Sequence, residues 1–356
     1  MYRNRLSINV LAFVFLVLMT GSASAQQYKW QIVQSWSKDL PIYGKVPAEF
    51  ANLVGTMSNG RIRIEVVTKE EHKRPRDVLK MVKSGEFEIG HTLPLYEMSL
   101  DVNTLFFSTL PFGFITSEKF AWFYHGGGIE LMEEAFDKHG VFAYPGGNSG
   151  NQMGGWFKKE VNSLDDLQGL KIRMPGLAGK VMQSLGADVK SISGGELYKA
   201  LDSGVIDAAE WVGPSMDLEM GFHKIAPYYY TGWHQPGSEL IFYVNQKALN
   251  ELPEDLQSIL KTAMQVSAFN AYALIQHKNA INLQQILTEY PDIKIRAFPS
   301  EVMRALSRET KKQVDEIADS GDLMTKKIVQ SMRNYMDKIR VWTRISDQAY
   351  LNNSGL

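Results

Sequence analysis

The chain is predicted to be an α/β protein of two lobes, and three observations carry that prediction. The first is its opening order. Tyr28 to Gln34 alternates apolar and polar residues as a strand does, Gly44 to Ser58 has the spacing of an amphipathic helix, and Arg61 to Thr68 alternates again after the Asn59-Gly60 turn. A β-α-β start favours a parallel sheet covered by helices. The second is a unit used twice. Arg76 to Lys83, Ser84-Gly85, Phe87 to Gly90 and then His91 share one grammar with Glu196 to Asp202, Ser203-Gly204, Ile206 to Ala209 and then Glu210. Each reads helix, Ser-Gly, strand, polar residue, which suggests two lobes of related topology with His91 opposite Glu210, although this connection is also common in α/β folds. The third is length. From Pro253, well placed at a helix start, the chain stays helix-compatible to Tyr290 before Pro291, or roughly 50 Å at 1.5 Å per residue. That exceeds one lobe, so the helix should run along both.

The N-terminus reads as a cleaved secretory leader over residues 1–25. Arg3 and Arg5 give a positive start, Val10 to Met19 is uninterrupted apolar sequence, and Ala23-Ser-Ala25 fits the small-residue cleavage site. The apolar run is shorter than the roughly 20 residues of a spanning helix, and no cysteine is present to carry a lipid anchor. Removing the two leader arginines from 38 basic residues leaves 36 against 39 acidic ones, a net charge of −3. That balance argues against a nucleic-acid binder or a polybasic membrane module. Zero cysteines exclude thiol chemistry, cysteine zinc sites and iron–sulfur clusters.

Between the two repeated units, Phe106 to Phe112 is an apolar wall and Ser117 to Lys138 is helical. Val141 to Tyr144 is a short strand that leads into a run rich in glycine and amides. Ser163-x-x-Asp166 resembles a capping box, and Leu170 to Met174 is a strand that places Arg173 at its carboxyl end. Tyr228 to Gly237 is aromatic and closes on Pro236-Gly237, where a hinge is expected. Leu240 to Val244 and Ile293 to Phe298 are strands, with helices at about Ser300 to Ser320 and Asp322 to Asp347. The last helix carries a stripe from Leu323 through Ile328, Met332, Tyr335, Met336 and Ile339 to Trp342, fit to dock on this chain or on a partner subunit.

Catalytic signatures are missing: no G-x-S-x-G, H-E-x-x-H, Walker A or G-x-G-x-x-G after the first strand. A binding constellation remains. Ligands of open α/β sheets bind at the carboxyl ends of strands, and both Arg173 and Glu210 sit at such ends. A guanidinium holds a carboxylate through two parallel hydrogen bonds, which lysine cannot copy; a surface salt bridge to Asp165 or Asp166 is the alternative for Arg173. Gln152 and Asn148 supply amide groups, though amides in glycine-rich loops often bond their own backbone. Glu210 beside a bound carboxylate would repel it unless a hard cation with oxygen ligands lay between them; otherwise Glu210 is solvated. Trp211, Trp233, Phe107 and Trp36 could exclude water from a small ligand or simply fill core. His91 is the one candidate general base, should the protein be a metal-dependent lyase or isomerase.

Three stretches together resemble a known family: Asn148-Ser-Gly-Asn-Gln-Met-Gly-Gly-Trp-Phe157, Leu167-Gln-Gly-Leu-Lys-Ile-Arg-Met-Pro-Gly176 and Ile206-Asp-Ala-Ala-Glu-Trp-Val-Gly-Pro214. They are similar to the DctP-type extracytoplasmic solute-binding proteins of TRAP transporters. Glu-Trp-Val-Gly-Pro and Gly-Trp-His-Gln-Pro-Gly resemble the branch that binds 2-oxo acids or lactate with a metal ion. The resemblance implies a two-lobe periplasmic solute-binding fold with a ligand cleft between the lobes. It implies that Arg173 pairs with the substrate carboxylate and that Asn148 is a substrate amide donor; with Gln152, Trp211 and Phe107 these make up the expected substrate site. It further implies a sodium or calcium ion held by Gln152, Glu210 and the Trp211 carbonyl, with Glu239 as a further ligand. Partners implied are a TRAP membrane permease and a second copy through the C-terminal helix. Asn151 matches no role. The expected layout is lobe I at 26–147 and 238–265, lobe II at 148–237 and 266–321, and a C-terminal helix at 322–356. A C4-dicarboxylate or another organic acid, or an ABC-type importer, remains the alternative to a TRAP monocarboxylate receptor.

Overall fold

The computed structural model describes residues 27–355, so the expected leader at 1–25 lies outside them. Two sheets form the frame. The first holds β1 (Tyr28–Gln34), β2 (Ile62–Val67), β3 (Ile89–Thr92), β4 (Val141–Asn148) and, from much later in the chain, β10 (Glu239–Asn245), in the order β2-β1-β3-β10-β4. The second holds β5 (Gly155–Phe157), β6 (Lys171–Arg173), β7 (Asp188–Val189), β8 (Ala208–Ala209), β9 (Tyr228–Tyr230) and β11 (Lys294–Arg296), in the order β11-β9-β5-β8-β6-β7.

The expected parallel sheet is correct for β1 with β2 and β3, but β10 runs antiparallel between β3 and β4. In the second sheet β5 is likewise antiparallel to both β8 and β9. The cause is the chain's path. It leaves the first sheet along β4, enters the second along β5, and returns from β9 into β10, so each sheet contains strands of opposite sense at the crossing. The two crossings run side by side as a short ribbon. Ser149 N donates to Ser238 O at 2.9 Å, Gln152 N to Gln235 O at 3.1 Å and Gly154 N to Tyr230 O at 2.7 Å. Gly232 is required there, because a Cβ would lie 1.7 Å from the Gln152 carbonyl. Pro236-Gly237 lies in the second crossing.

The doubled unit is real in the backbone. Helices over Val78–Lys83 and Leu197–Asp202 are followed by left-handed Gly85 and Gly204, at φ 76° and 78°, and their strands β3 and β8 enter different sheets. Left-handed backbone costs a glycine little, which is why the same two-residue stop serves both.

Helix α1 (Val46–Met57) and the first half of a long helix cover the first sheet, burying Phe50, Val54, Leu256, Leu260 and Met264 with Ile32 and Phe242. The second lobe has its own core of Trp156, Leu197, Leu201, Ile206 and Tyr229. The long helix runs over Glu254–Glu289, 36 residues without a break, and its Ile286 reaches that second core. A boundary at 265/266 therefore falls inside a helix that belongs to both lobes. Helix α2 (Thr116–His125) packs beneath the C-terminal helix, whose regular part is Leu323–Thr343. Ile328, Val329 and Met332 of that helix are buried on this chain, and Arg340 donates to both oxygens of Glu118 at 2.8 Å. Leu323, Val341, Trp342, Ile345, Tyr350 and Leu351 stay exposed. The middle of the stripe thus docks on its own chain, and its distal end does not.

His91 is fully buried inside β3. Its Nε2 bonds the Gly146 carbonyl at 3.0 Å, and its Nδ1 accepts the Trp36 indole N–H at 3.3 Å. Both nitrogens are used by a neutral ring, and burial holds its pKa down at about 4. The general-base role fails on this geometry. Because the folded pKa lies below the unfolded value, His91 supports stability above about pH 6.5 and loses it as pH falls towards 4, by about 3 kcal/mol. Chemical denaturation at pH 7 and pH 4.5 should show a steeper loss for wild type than for His91→Gln, whose amide offers one donor and one acceptor without titrating.

Candidate functional site

Where β6 and β8 end, the chain brings together the residues that their strand positions suggested. Arg173 Nη1 donates to the Glu210 carbonyl at 2.8 Å and to Glu210 Oε2 at 3.0 Å. Its Nε and Nη2 make no hydrogen bond among the described residues, so one edge of the fork stays free. The guanidinium also lies 5.5 Å from the Trp211 ring centre, a cation–π distance. Asp166 does not compete for it, because Asp166 instead accepts the backbone N–H groups of Asn162 and Ser163.

Glu210 is 1% exposed. Burial of a carboxylate requires charged or polar partners on both oxygens. Oε2 has Arg173; Oε1 faces the Gln152 amide at 3.1 Å and His234 Nε2 at 3.1 Å, the latter without hydrogen-bond alignment. The same Gln152 amide group lies 3.2 Å from the Trp211 carbonyl. In the orientation found, the Gln152 amide oxygen, Glu210 Oε1 and the Trp211 carbonyl oxygen converge with no proton between them. Turning the amide would place N–H groups there instead, and the amide orientation is an assignment. Three converging oxygens, one of them anionic, supply part of the roughly six to eight oxygen ligands of a hard cation such as calcium, the rest being left to the bound ligand. Ligand distances of 2.3–2.6 Å put neighbouring oxygens about 3.3–3.6 Å apart. The residues present therefore fit a sodium or calcium ion.

These groups line a cavity of about 40 Å³ with Trp36, Tyr43, Tyr96 and Gln235. That is room for about three water-sized groups. Outside it the cleft widens to about 780 Å³, with Lys69, Arg76 and Lys190 on its walls. Trp36, Tyr43, Val212, Met216 and Leu240 pack together around the cavity, so both lobes close it. Burial raises Tyr43 and Tyr96 above the ordinary phenol range, with Arg173 opposing the rise at Tyr96; both hydroxyls stay protonated donors.

Four expected site residues lie elsewhere. Phe107 is fully buried in the first lobe's core, stacked 6.1 Å from Trp122 and 6.0 Å from Phe136, away from the cavity. Trp233 packs on Phe112 in the same way. Asn148 has every polar contact inside the protein: Nδ2 donates to Glu239 Oε2 at 2.7 Å, while Oδ1 accepts from Thr116 Oγ1 at 2.7 Å and Gly150 N at 2.9 Å. Glu239 is fully buried near Lys119; its Oε2 takes the Asn148 amide, and its Oε1 has no hydrogen-bond partner among the described residues. Burial pushes that carboxyl up and that amine down, and their attraction opposes both shifts. Asn148 and Glu239 thus meet at the root of the ribbon, and Trp36, Trp211, Gln152, Glu210 and Arg173 line the cavity.

Sequence reasoning missed Tyr43, Tyr96, His234 and Gln235. The last two stand in the Gly-Trp-His-Gln-Pro-Gly stretch, which was singled out without assigning them; nothing in local pattern marks the tyrosines. Because Asn148 holds a buried carboxyl group, Asn148→Ala should lower unfolding free energy by about 1–3 kcal/mol in denaturant titration. Asn151→Ala, on an exposed side chain of the same loop, should change it by less than about 0.5 kcal/mol.

Comparison with known proteins agrees with this geometry. The family model for DctP, bacterial extracellular solute-binding protein family 7, matches residues 32–320. A monocarboxylate 2-oxoacid-binding periplasmic protein of Nostoc sp. is 37% identical over 94% of this chain and 92% of its own length. A TRAP periplasmic solute-binding protein of Colwellia psychrerythraea, with bound calcium and pyruvate, superposes with a TM-score of 0.90 at 49% identity, covering 92% of this chain and 100% of that one. Its counterpart from Pseudoalteromonas atlantica, with bound sodium and pyruvate, gives 0.88 at 47% identity over 92% and 99%. The chain described here belongs to the DctP family of bacterial extracellular solute-binding proteins.

Proposed function

We propose that the protein captures a small 2-oxo or 2-hydroxy monocarboxylate together with a sodium or calcium ion and presents it to a TRAP membrane permease. The observation that carries this reading is the convergence of the free Arg173 edge, Glu210, the Gln152 amide and the Trp211 carbonyl on a cavity of about 40 Å³. Pyruvate with calcium or sodium in the Colwellia and Pseudoalteromonas proteins supports the ligand class.

Arg173 receives the ligand carboxylate on its unpaired N–H groups. Gln152, Glu210 and the Trp211 carbonyl would hold the cation, which when bound offsets the Glu210 charge beside a second anion and takes the ligand's 2-oxygen. Tyr43 and Tyr96 bring hydroxyl donors from the first lobe, and Trp36 and Trp211 exclude water. A ligand touching both lobes favours their closed arrangement. The ribbon is the hinge between lobe I at 26–147 and 238–265 and lobe II at 148–237 and 266–321. No bond is made or broken; with His91 buried and engaged on both nitrogens, nothing supports a lyase or isomerase.

The leader-like N-terminus and the periplasmic relatives support a periplasmic location. Exposed Val341, Trp342, Ile345, Tyr350 and Leu351 give the C-terminal segment an apolar end suited to a second copy. A second ligand reading rests on the wide outer cleft, where Lys69, Arg76 and Lys190 could receive a longer or doubly charged acid.

Calorimetry with pyruvate, lactate, longer 2-oxo acids and C4-dicarboxylates, with and without a chelator, tests the proposal. Tightest binding by a monocarboxylate, lost on chelation or sodium removal, is expected; dicarboxylate preference would overturn it. Arg173→Lys keeps the charge opposite Glu210 but loses the planar fork, so it should fold and bind about 100-fold more weakly. Glu210→Gln should leave residual ligand binding indifferent to the cation.

A further inference from the structure

Behind the cation site lies a carboxylate that the binding scheme does not use. Asp217 is 1% exposed in helix α3 (Pro214–Met220), the element after the Glu210–Gly213 loop. Its Oδ1 accepts the backbone N–H of Val212 at 3.0 Å and of Gly213 at 2.8 Å. Its Oδ2 accepts the Trp156 indole N–H at 3.0 Å and the Tyr229 hydroxyl at 2.8 Å. Those two rings stack at 3.9 Å on neighbouring strands of the second sheet. One carboxylate therefore fastens the loop to the sheet through four donors.

We infer that Asp217 is the positioning residue of the cation site, acting through the Trp211–Val212 peptide. In a planar trans peptide the N–H and C=O point in opposite directions, and the described chain has no cis peptide. Holding the Val212 N–H against Asp217 therefore aims the Trp211 carbonyl the other way, towards the Gln152 amide 3.2 Å from it. A carboxyl oxygen accepting the N–H also polarises that peptide and makes its carbonyl oxygen a better ligand. The helix start is secured independently: Asn279 Oδ1 accepts Ser215 N at 2.8 Å and Asn282 Nδ2 donates to Pro214 O at 2.9 Å, both from the long helix. Asp217 is thus not needed to place the helix, and its two backbone contacts act on the loop.

The inference rests on the cation reading, and the test separates the two. Calcium is titrated into chelator-stripped protein at saturating pyruvate, and its dissociation constant is read by calorimetry alongside the melting temperature of the metal-free protein. Asparagine must present an N–H to one pair of donors, so Asp217→Asn should weaken calcium 10- to 100-fold, the usual effect of losing a ligand's supporting contact. Tyr229→Phe removes only the sheet-side hydroxyl; it should lower the melting temperature and leave calcium affinity within about twofold. Equal calcium affinity in Asp217→Asn and wild type, or equal losses in both variants, would overturn the positioning role alone. Wild type whose pyruvate binding responds to neither calcium nor sodium would overturn the cation reading and this role with it. Amide hydrogen exchange on metal-free wild type needs no variant: protected Val212 and Gly213 amides are expected, and exchange at the rate of free peptide would refute a preset loop.

Discussion

Everything in the site depends on placing the Glu210 carboxyl, 1% exposed, beside the cavity proposed to receive a second anion. A lone buried carboxylate is costly by several kcal/mol, and two without compensation would not be tolerated. Arg173 supports one oxygen and still has N–H groups to offer, so a single guanidinium serves both the resident charge and the incoming one. The other oxygen faces the Gln152 amide and His234 Nε2, with the Trp211 carbonyl beside that amide. A cation bound there would complete the set and tie metal to ligand.

That coupling is mounted on the crossing between the lobes. Gln152 and Gln235 come from opposite strands of the ribbon, joined by the Gln152 N to Gln235 O hydrogen bond, and both line the cavity. Arg173, Glu210 and Trp211 belong to the second lobe, and Trp36, Tyr43 and Tyr96 to the first. Closing of the proposed hinge would change the distance between the tyrosine hydroxyls and the Arg173–Glu210 pair. The Asn148–Glu239–Lys119 cluster sits at the ribbon's root, and the long helix lies across both lobes.

Much of this was legible in the residue order. The opening strand over Tyr28–Gln34, the doubled helix–Ser-Gly–strand unit, the unbroken long helix and the strand-end positions of Arg173 and Glu210 all follow from periodicity and from glycine and proline stops, which act over a few residues. The antiparallel β10 and β5 do not, because strand sense depends on which lobe the chain comes from. Asn148 and Glu239 looked like ligands because their side chains suit oxygen chemistry, but Asn148 spends its amide on Glu239, Thr116 and Gly150, and Glu239 gives it one oxygen. Phe107 and Trp36 are equally aromatic; only packing put one in the core and the other on the cavity wall.

By itself the sequence determined the α/β class, the two-part construction and the chemical identity of the binding pair, because these rest on local pattern and on what a guanidinium or a carboxylate can do. Only the tertiary structure decided which polar groups meet. Tyr43, Tyr96, His234 and Gln235 reach the site from separate elements, and burial decides whether a side chain keeps its hydrogen-bonding capacity for a ligand or spends it inside the protein. For Gln152 that capacity stays open to the cavity, and for Asn148, four residues earlier, it is used up.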